Sequence, residues 1–164
     1  MSISHPSKAS RLGVLFVCEN NARRSLIAEA LIRDRCVPWL RGFSAGVRVA
    51  EHADLRAMST IMMAGLDSTG LWPKSWESFC KTQPPMIDVV ILLDQNSALN
   101  LPRVFPGRVE YQTWAGAAPK RHYTQSHAHV WQEIQWLRPK VNGLIDDLSA
   151  MRELSLARQS MAAD

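Results

Sequence analysis

Near the start of the chain a thiol, two guanidiniums and a hydroxyl stand close together in Cys18-Glu19-Asn20-Asn21-Ala22-Arg23-Arg24-Ser25, a C-x5-R-S spacing. The five residues between Cys18 and Arg24 are enough to curl a loop so that successive backbone N–H groups converge on one point. If a helix begins directly after the loop, its positive end adds to that field, and a tetrahedral oxyanion fits there. Glu19, Asn20, Asn21, Ala22, Arg23 and Arg24 would then supply the phosphate-binding amides, and Arg24 a fork of donors for two oxygens. Cys18 in the same field is expected to ionise below the usual thiol value of about 8.5 and to attack the bound phosphorus. Ser25 is placed to give the sulfur a hydrogen bond. Glu19 opposes this scheme, because a carboxylate at the lip of an anion site repels the ligand unless it points outward or pairs with Arg23.

Such a loop needs a strand in front of it and a helix behind it. Gly13–Val17 (GVLFV) and Val89–Leu93 (VVILL) are continuous apolar runs, the pattern of strands covered on both faces in a parallel sheet. Ser25–Arg35 carries Leu26, Ala30 and Leu31 on one stripe, and Asp54–Met63 carries Leu55, Met58 and Met62. Leu40–Ser44 and Val109–Thr113 are shorter strand candidates. The clearest helix is the last, where Val130, Ile134, Leu137, Val141, Leu144, Ile145 and Leu148 recur at steps of three and four, with Pro139 expected to kink it from its polar side. The order β-α-β-α-(α)-β-β-α predicts an open α/β sheet with ligands at the carboxyl ends of its strands.

The chain has 164 residues, 46% of them hydrophobic, which predicts one domain over residues 11–164 behind a flexible tail at residues 1–10. Its formal net charge of +4 is spread rather than gathered into a block, so it suits an anionic ligand and calls for no nucleic acid. No apolar run approaches the roughly 20 residues of a membrane span. Cys18, Cys36 and Cys80 have no CxxC spacing, which argues against a disulfide framework and a zinc ribbon and makes a reducing cytoplasm the expected home. His127 and His129 lack a third metal ligand nearby and are expected on the surface. No metal or cofactor is predicted.

Val14–Ala30, VLFVC-x-x-N-x-x-RS-x-x-AEA, resembles the opening of the low-molecular-weight protein tyrosine phosphatases and of the thioredoxin-coupled arsenate reductases that share their fold. Ser44-Ala45-Gly46, Gly65-Leu66-Asp67 and the VVILL strand continue the likeness in order, over roughly residues 12 to 150. The resemblance implies a three-layer open sandwich: a four-stranded parallel sheet with helices on both faces. It implies hydrolysis of phosphotyrosine or small aryl phosphates through a cysteinyl-phosphate. It makes Cys18 the nucleophile, Arg24 the clamp, Ser25 the thiolate partner, and Asn21 with Ser44 a hydrogen-bonding pair that shapes the loop.

Three departures from that family pattern bear on activity. Asn20 stands where the family usually has a glycine at positive φ, a conformation that Asn tolerates best among other residues. Arg23 replaces a second loop cysteine. The family's Asp-Pro general acid corresponds to Ala118-Pro119, and loss of such an acid costs about 10²–10⁴ in rate with poor leaving groups. Glu19, Asp94 and His122 are the candidate substitutes. Lys120-Arg121-His122-Tyr123 could steer and stack a phosphorylated aromatic ring, and Trp72 and Trp76 form a core or partner-facing pair. Arsenate reduction with an external thiol is the alternative chemistry, since Cys36 and Cys80 are both expected too far from Cys18 for an internal relay. A phosphate- or phosphopeptide-binding protein without turnover is the alternative class.

Overall fold

The first strand, β1 (Leu12–Cys18), explains most of the architecture by its alternation. Val14, Phe16 and Cys18 turn to one face of the sheet, where they pack with Leu26, Ile27, Leu31, Ile61, Ile134, Leu137 and Val141. Leu15 and Val17 turn to the other, against Ala45, Phe79, Ile87, Val90, Leu92, Leu101 and Phe105. A strand with apolar residues on both faces must lie inside the sheet, and it does. In this computed structural model, which describes residues 11–114 and 126–162, the strands run in the order β2-β1-β3-β4, all parallel. The others are β2 (Leu40–Gly46), β3 (Val89–Leu92) and β4 (Glu110–Thr113).

Helices α1 (Arg24–Asp34), α2 (Leu55–Met63) and α4 (His127–Met161) cover the first face. The short α3 (Gln95–Asn100) and a single 3-10 turn (Trp76–Phe79) cover the second. This is the expected four-stranded parallel sheet with helices on both faces. Two elements differ from expectation. Gln95–Asn100 has no apolar periodicity, and it is helical because Asp94 caps it by accepting the N–H of Ser97 at 2.7 Å. The last helix runs on from Leu148 to Met161 with Met151, Leu154, Leu156 and Met161 exposed, and Pro139 sits within it on the solvent side.

The chain goes from β1 to β2 on one side, then crosses back to β3 on the other. The crevice at such a switch point lies at the carboxyl end of the first strand. Cys18 pairs in register with Gly46 at the end of β2, and the amide of Leu93 donates to Val17 at the end of β3. Among the described residues no helix is long and apolar enough to cross a membrane. The predicted tail at residues 1–10 lies outside the described residues.

Candidate active site

The loop after β1 is held from outside by its carbonyls. Those of Cys18, Glu19 and Asn20 accept the amides of Val47, Arg48 and Ala50, and that of Ala22 accepts the amide of Asp54. The chain after β2 and the cap of α2 thus grip one side of the loop. Its own amides are directed elsewhere: Glu19 N–H donates to Asp94 Oδ2 at 2.8 Å, while those of Asn20, Ala22 and Arg23 have no protein acceptor among the described residues. Arg23 is the N-cap of α1 and offers no side-chain cap, so the first turn of that helix keeps donors for an outside acceptor. A set of amides at a helix start, of which Asp94 takes only that of Glu19, is the donor set of an anion site.

The curl is made at Asn21, whose φ of 50° is left-handed. The sequence reading expected that conformation one residue earlier, at Asn20. Asn21 is fully buried and its side chain stabilises the strained backbone: Nδ2 donates to Ser25 Oγ at 2.7 Å, and Oδ1 accepts the amide of Lys74 at 2.8 Å. Ser25 Oγ in turn lies 2.9 Å from Cys18 Sγ. Gly46 completes the fit, since a Cβ there would come within 2.9 Å of the Asn20 carbonyl carbon and 3.0 Å of the Asn21 nitrogen.

The expected Asn21–Ser44 pair does not form. Ser44 donates instead to Glu29, a buried carboxylate on α1 that also pairs with Arg33 and, at 3.1 Å, with Lys74 Nζ. Lys74 Nζ lies 3.2 Å from Ser44 Oγ, so Lys74 joins Asn21 to Ser44 through its amide and its ammonium. Burial lowers the Lys74 pKa from the usual lysine value, and Glu29 pulls it back up.

Cys18 is buried, and burial pushes its thiol up rather than down. The hydrogen bond from the Ser25 side chain and the amides of Ser25 and Asn21 act against this, while the Asp94 carboxylate adds to it. Burial thus acts against the acidification expected from the sequence.

Neither described candidate for the missing acid points at a leaving group. Glu19 turns outward to Arg48 at 3.0 Å, not to Arg23. Both carboxylate oxygens of Asp94 accept N–H bonds, from Glu19 and Ser97. Ala118, Pro119 and the Lys120-Arg121-His122-Tyr123 stretch lie outside the described residues. Arg23, whose side chain is 11% exposed, pairs with Glu133 at 2.8 Å and faces Asp54 at 3.6 Å.

All three cysteines are free. Cys36 is exposed beyond the end of α1, and Cys80 packs with the cluster on the sheet face opposite to Cys18. His127 Nδ1 meets Thr60 Oγ1 at 3.0 Å, whereas His129, expected on the surface, is buried with Nε2 3.8 Å from Glu133. No metal-binding cluster occurs among the described residues. Trp72 is exposed with Lys74 over its ring, and Trp76 packs edge-on against Phe105.

Glu29, Lys74 and Glu133 are the site residues that sequence reasoning missed. The signal was present for two of them: Glu29 and Glu133 each interrupt an otherwise apolar helix face, which a carboxylate does only with partners. Lys74 carried none.

The fold is shared with solved structures. A thioredoxin-dependent arsenate reductase of Corynebacterium glutamicum superposes with a TM-score of 0.68 at 20% identity, covering 87% of this chain and 64% of that one. The low molecular weight protein tyrosine phosphatase of T. tengcongensis gives 0.66 at 22%, covering 83% and 99%. The tyrosine phosphatase Wzb of Escherichia coli K30, in complex with sulphate, gives 0.64 at 23%, covering 83% and 97%. At these identities the likeness is one of fold. No curated protein matches the chain significantly. The family model for low molecular weight phosphotyrosine protein phosphatase matches residues 13–135, which include the loop, both central strands and the start of α4. The chain belongs to the low molecular weight phosphotyrosine protein phosphatase family.

Proposed function

We propose that this protein is a slow cysteine-dependent phosphatase acting on phosphotyrosine or small aryl phosphates. The observation that carries the reading is the loop itself: amides of Asn20, Ala22 and Arg23 without protein acceptors among the described residues, around a sulfur that Ser25 holds by a hydrogen bond. A sulphate-bound relative supports an oxyanion as the occupant. In the first step the Cys18 thiolate forms a bond to phosphorus as the bond from phosphorus to the aryl oxygen breaks, and Arg24 with the loop amides takes up charge on the equatorial oxygens. Water then attacks the cysteinyl-phosphate, breaks the sulfur–phosphorus bond and returns the thiolate. With Ala118 at the acid position the aryloxide leaves unprotonated, so rate depends steeply on its basicity.

Ala118→Asp tests this reading. Hydrolysis of phenyl phosphate is expected to rise by about 10² or more, that of p-nitrophenyl phosphate by little, because nitrophenolate leaves almost unaided. Cys18→Ser should abolish both. Equal gains on the two substrates, or turnover surviving Cys18→Ser, would refute it. Phosphate binding without turnover is the second reading, favoured by an intact Cys18 and Arg24 together with Ala118 at the acid position, and it predicts vanadate affinity with no hydrolysis of either ester.

A further inference from the structure

Glu133 sits within the apolar face of α4, beside Val130, Ile134 and Leu137, and is fully buried. A carboxylate there must find partners to offset its lost hydration. It finds two on the loop. Oε1 accepts the Nε–H of Arg24 at 2.9 Å, and Oε2 lies 2.8 Å from Nε of Arg23, whose Nη2 also donates to Oε1 at 3.2 Å. Among the described residues, the other titratable groups against this cluster are His129, one turn earlier on α4, and Asp54 at the start of α2.

Two consequences follow from the bonding. A guanidinium whose Nε–H is given to a carboxylate presents its Nη1/Nη2 end to an anion, not its Nε side, so the partner at Nε fixes the orientation of the clamp. A buried carboxylate touching Arg24 alone would also cancel most of its charge. Arg23 opposes this by sharing Glu133 with Arg24, at 2.8 Å against 2.9 Å, while its other side faces Asp54 at 3.6 Å.

We propose that Glu133 is a positioning residue for Arg24, and that Arg23 is its charge-balancing partner, so that α4 sets how the anion clamp faces the loop. This deepens the phosphatase reading and rests on it. Nothing in the C-x5-R-S motif requires either contact: Glu133 lies on α4, and Arg23 occupies a position that the motif leaves open.

The test has one arm on the native protein and one on variants. In arginine Nε–H NMR spectra the Arg24 signal should exchange slowly in the free protein and persist on saturation with inorganic phosphate. Its disappearance on phosphate binding would mean that Glu133 competes with the anion, which overturns the proposal. In the second arm, vanadate affinity should fall about fivefold or more in Arg23→Gln and stay within about twofold in Arg23→Lys, which keeps the charge. With Glu133→Gln in the background, Arg23→Gln should change affinity by no more than about twofold. Equal losses in both backgrounds would place Arg23 on the anion directly and overturn the charge-balancing role. If Glu133→Gln does not fold, the NMR arm decides on the native protein alone. A native protein that binds neither phosphate nor vanadate would refute the phosphatase reading and this proposal with it, whereas binding with additive losses refutes the proposal alone.

Discussion

Burial raises the Cys18 thiol in the folded protein and outweighs the hydrogen bonds from Ser25 and Asn21. The same fact has a consequence for stability. With the folded pKa raised above the unfolded value of about 8.5, the folded protein holds this proton more tightly; its contribution is complete below that pH and is lost as pH rises through the folded value. The urea midpoint of the native protein should therefore fall more between pH 8 and pH 10 than that of Cys18→Ala, and parallel curves for the two would contradict the assignment. Asn21 and Ser25 share one chain of hydrogen bonds ending at the sulfur. Removing the Ser25 hydroxyl should thus raise the thiol further. In Ser25→Ala, iodoacetamide labelling of Cys18 should need a higher pH than in the native protein, and an unchanged labelling profile would separate Ser25 from the thiol.

Between elements, the β2 end fits tightly against the loop. Gly46→Ala would push a methyl group against the backbone of Asn20 and Asn21, which cannot yield as a flexible side chain would. Overpacking of this kind costs about 1–3 kcal/mol. We expect a folded variant whose vanadate affinity falls at least about tenfold, because the amides shift while the core of β1 remains; full affinity in a folded Gly46→Ala would show that the loop tolerates displacement. The central elements were legible because their signal is local: continuous apolar runs for β1 and β3, and a three-to-four periodicity for α1 and α4. α3 was not, since the residues of Gln95–Asn100 do not alternate and their helix depends on Asp94, itself fixed by the Glu19 amide. Within the site, Cys18, Arg24 and Ser25 stand out in the sequence because the C-x5-R-S spacing falls between an apolar strand and a helix. The contacts of Lys74 with Glu29 and of Glu133 with Arg24 span 45 and 109 residues, so only the folded chain brings them together. The Asn21–Ser44 pair is what the family resemblance implies, whereas in this chain Glu29 takes the Ser44 hydrogen.

The whole molecule uses its sheet to bring three strand ends to one place, with Cys18, Gly46 and Asp94 arriving there from β1, β2 and the segment after β3. An anion bound at that junction ties together α1, the start of α2 and α4 through Arg23, Arg24, Asp54 and Glu133. Binding should then appear as global stability. Phosphate at one hundred times its dissociation constant is expected to add about 2.7 kcal/mol, a rise in Tm of roughly 5–10 °C for a chain of this size. The rise should vanish in Arg24→Ala; an equal rise in that variant would move the anion elsewhere. The central claim, that Cys18 attacks phosphorus, is tested most directly by trapping the intermediate. The native protein, mixed with p-nitrophenyl phosphate and quenched in acid, should gain the mass of one phosphoryl group, located on the peptide containing Cys18 and missing from Cys18→Ser. Turnover of the ester with no phosphorylated Cys18 peptide at any quench time, or the same mass gain in Cys18→Ser, would contradict it.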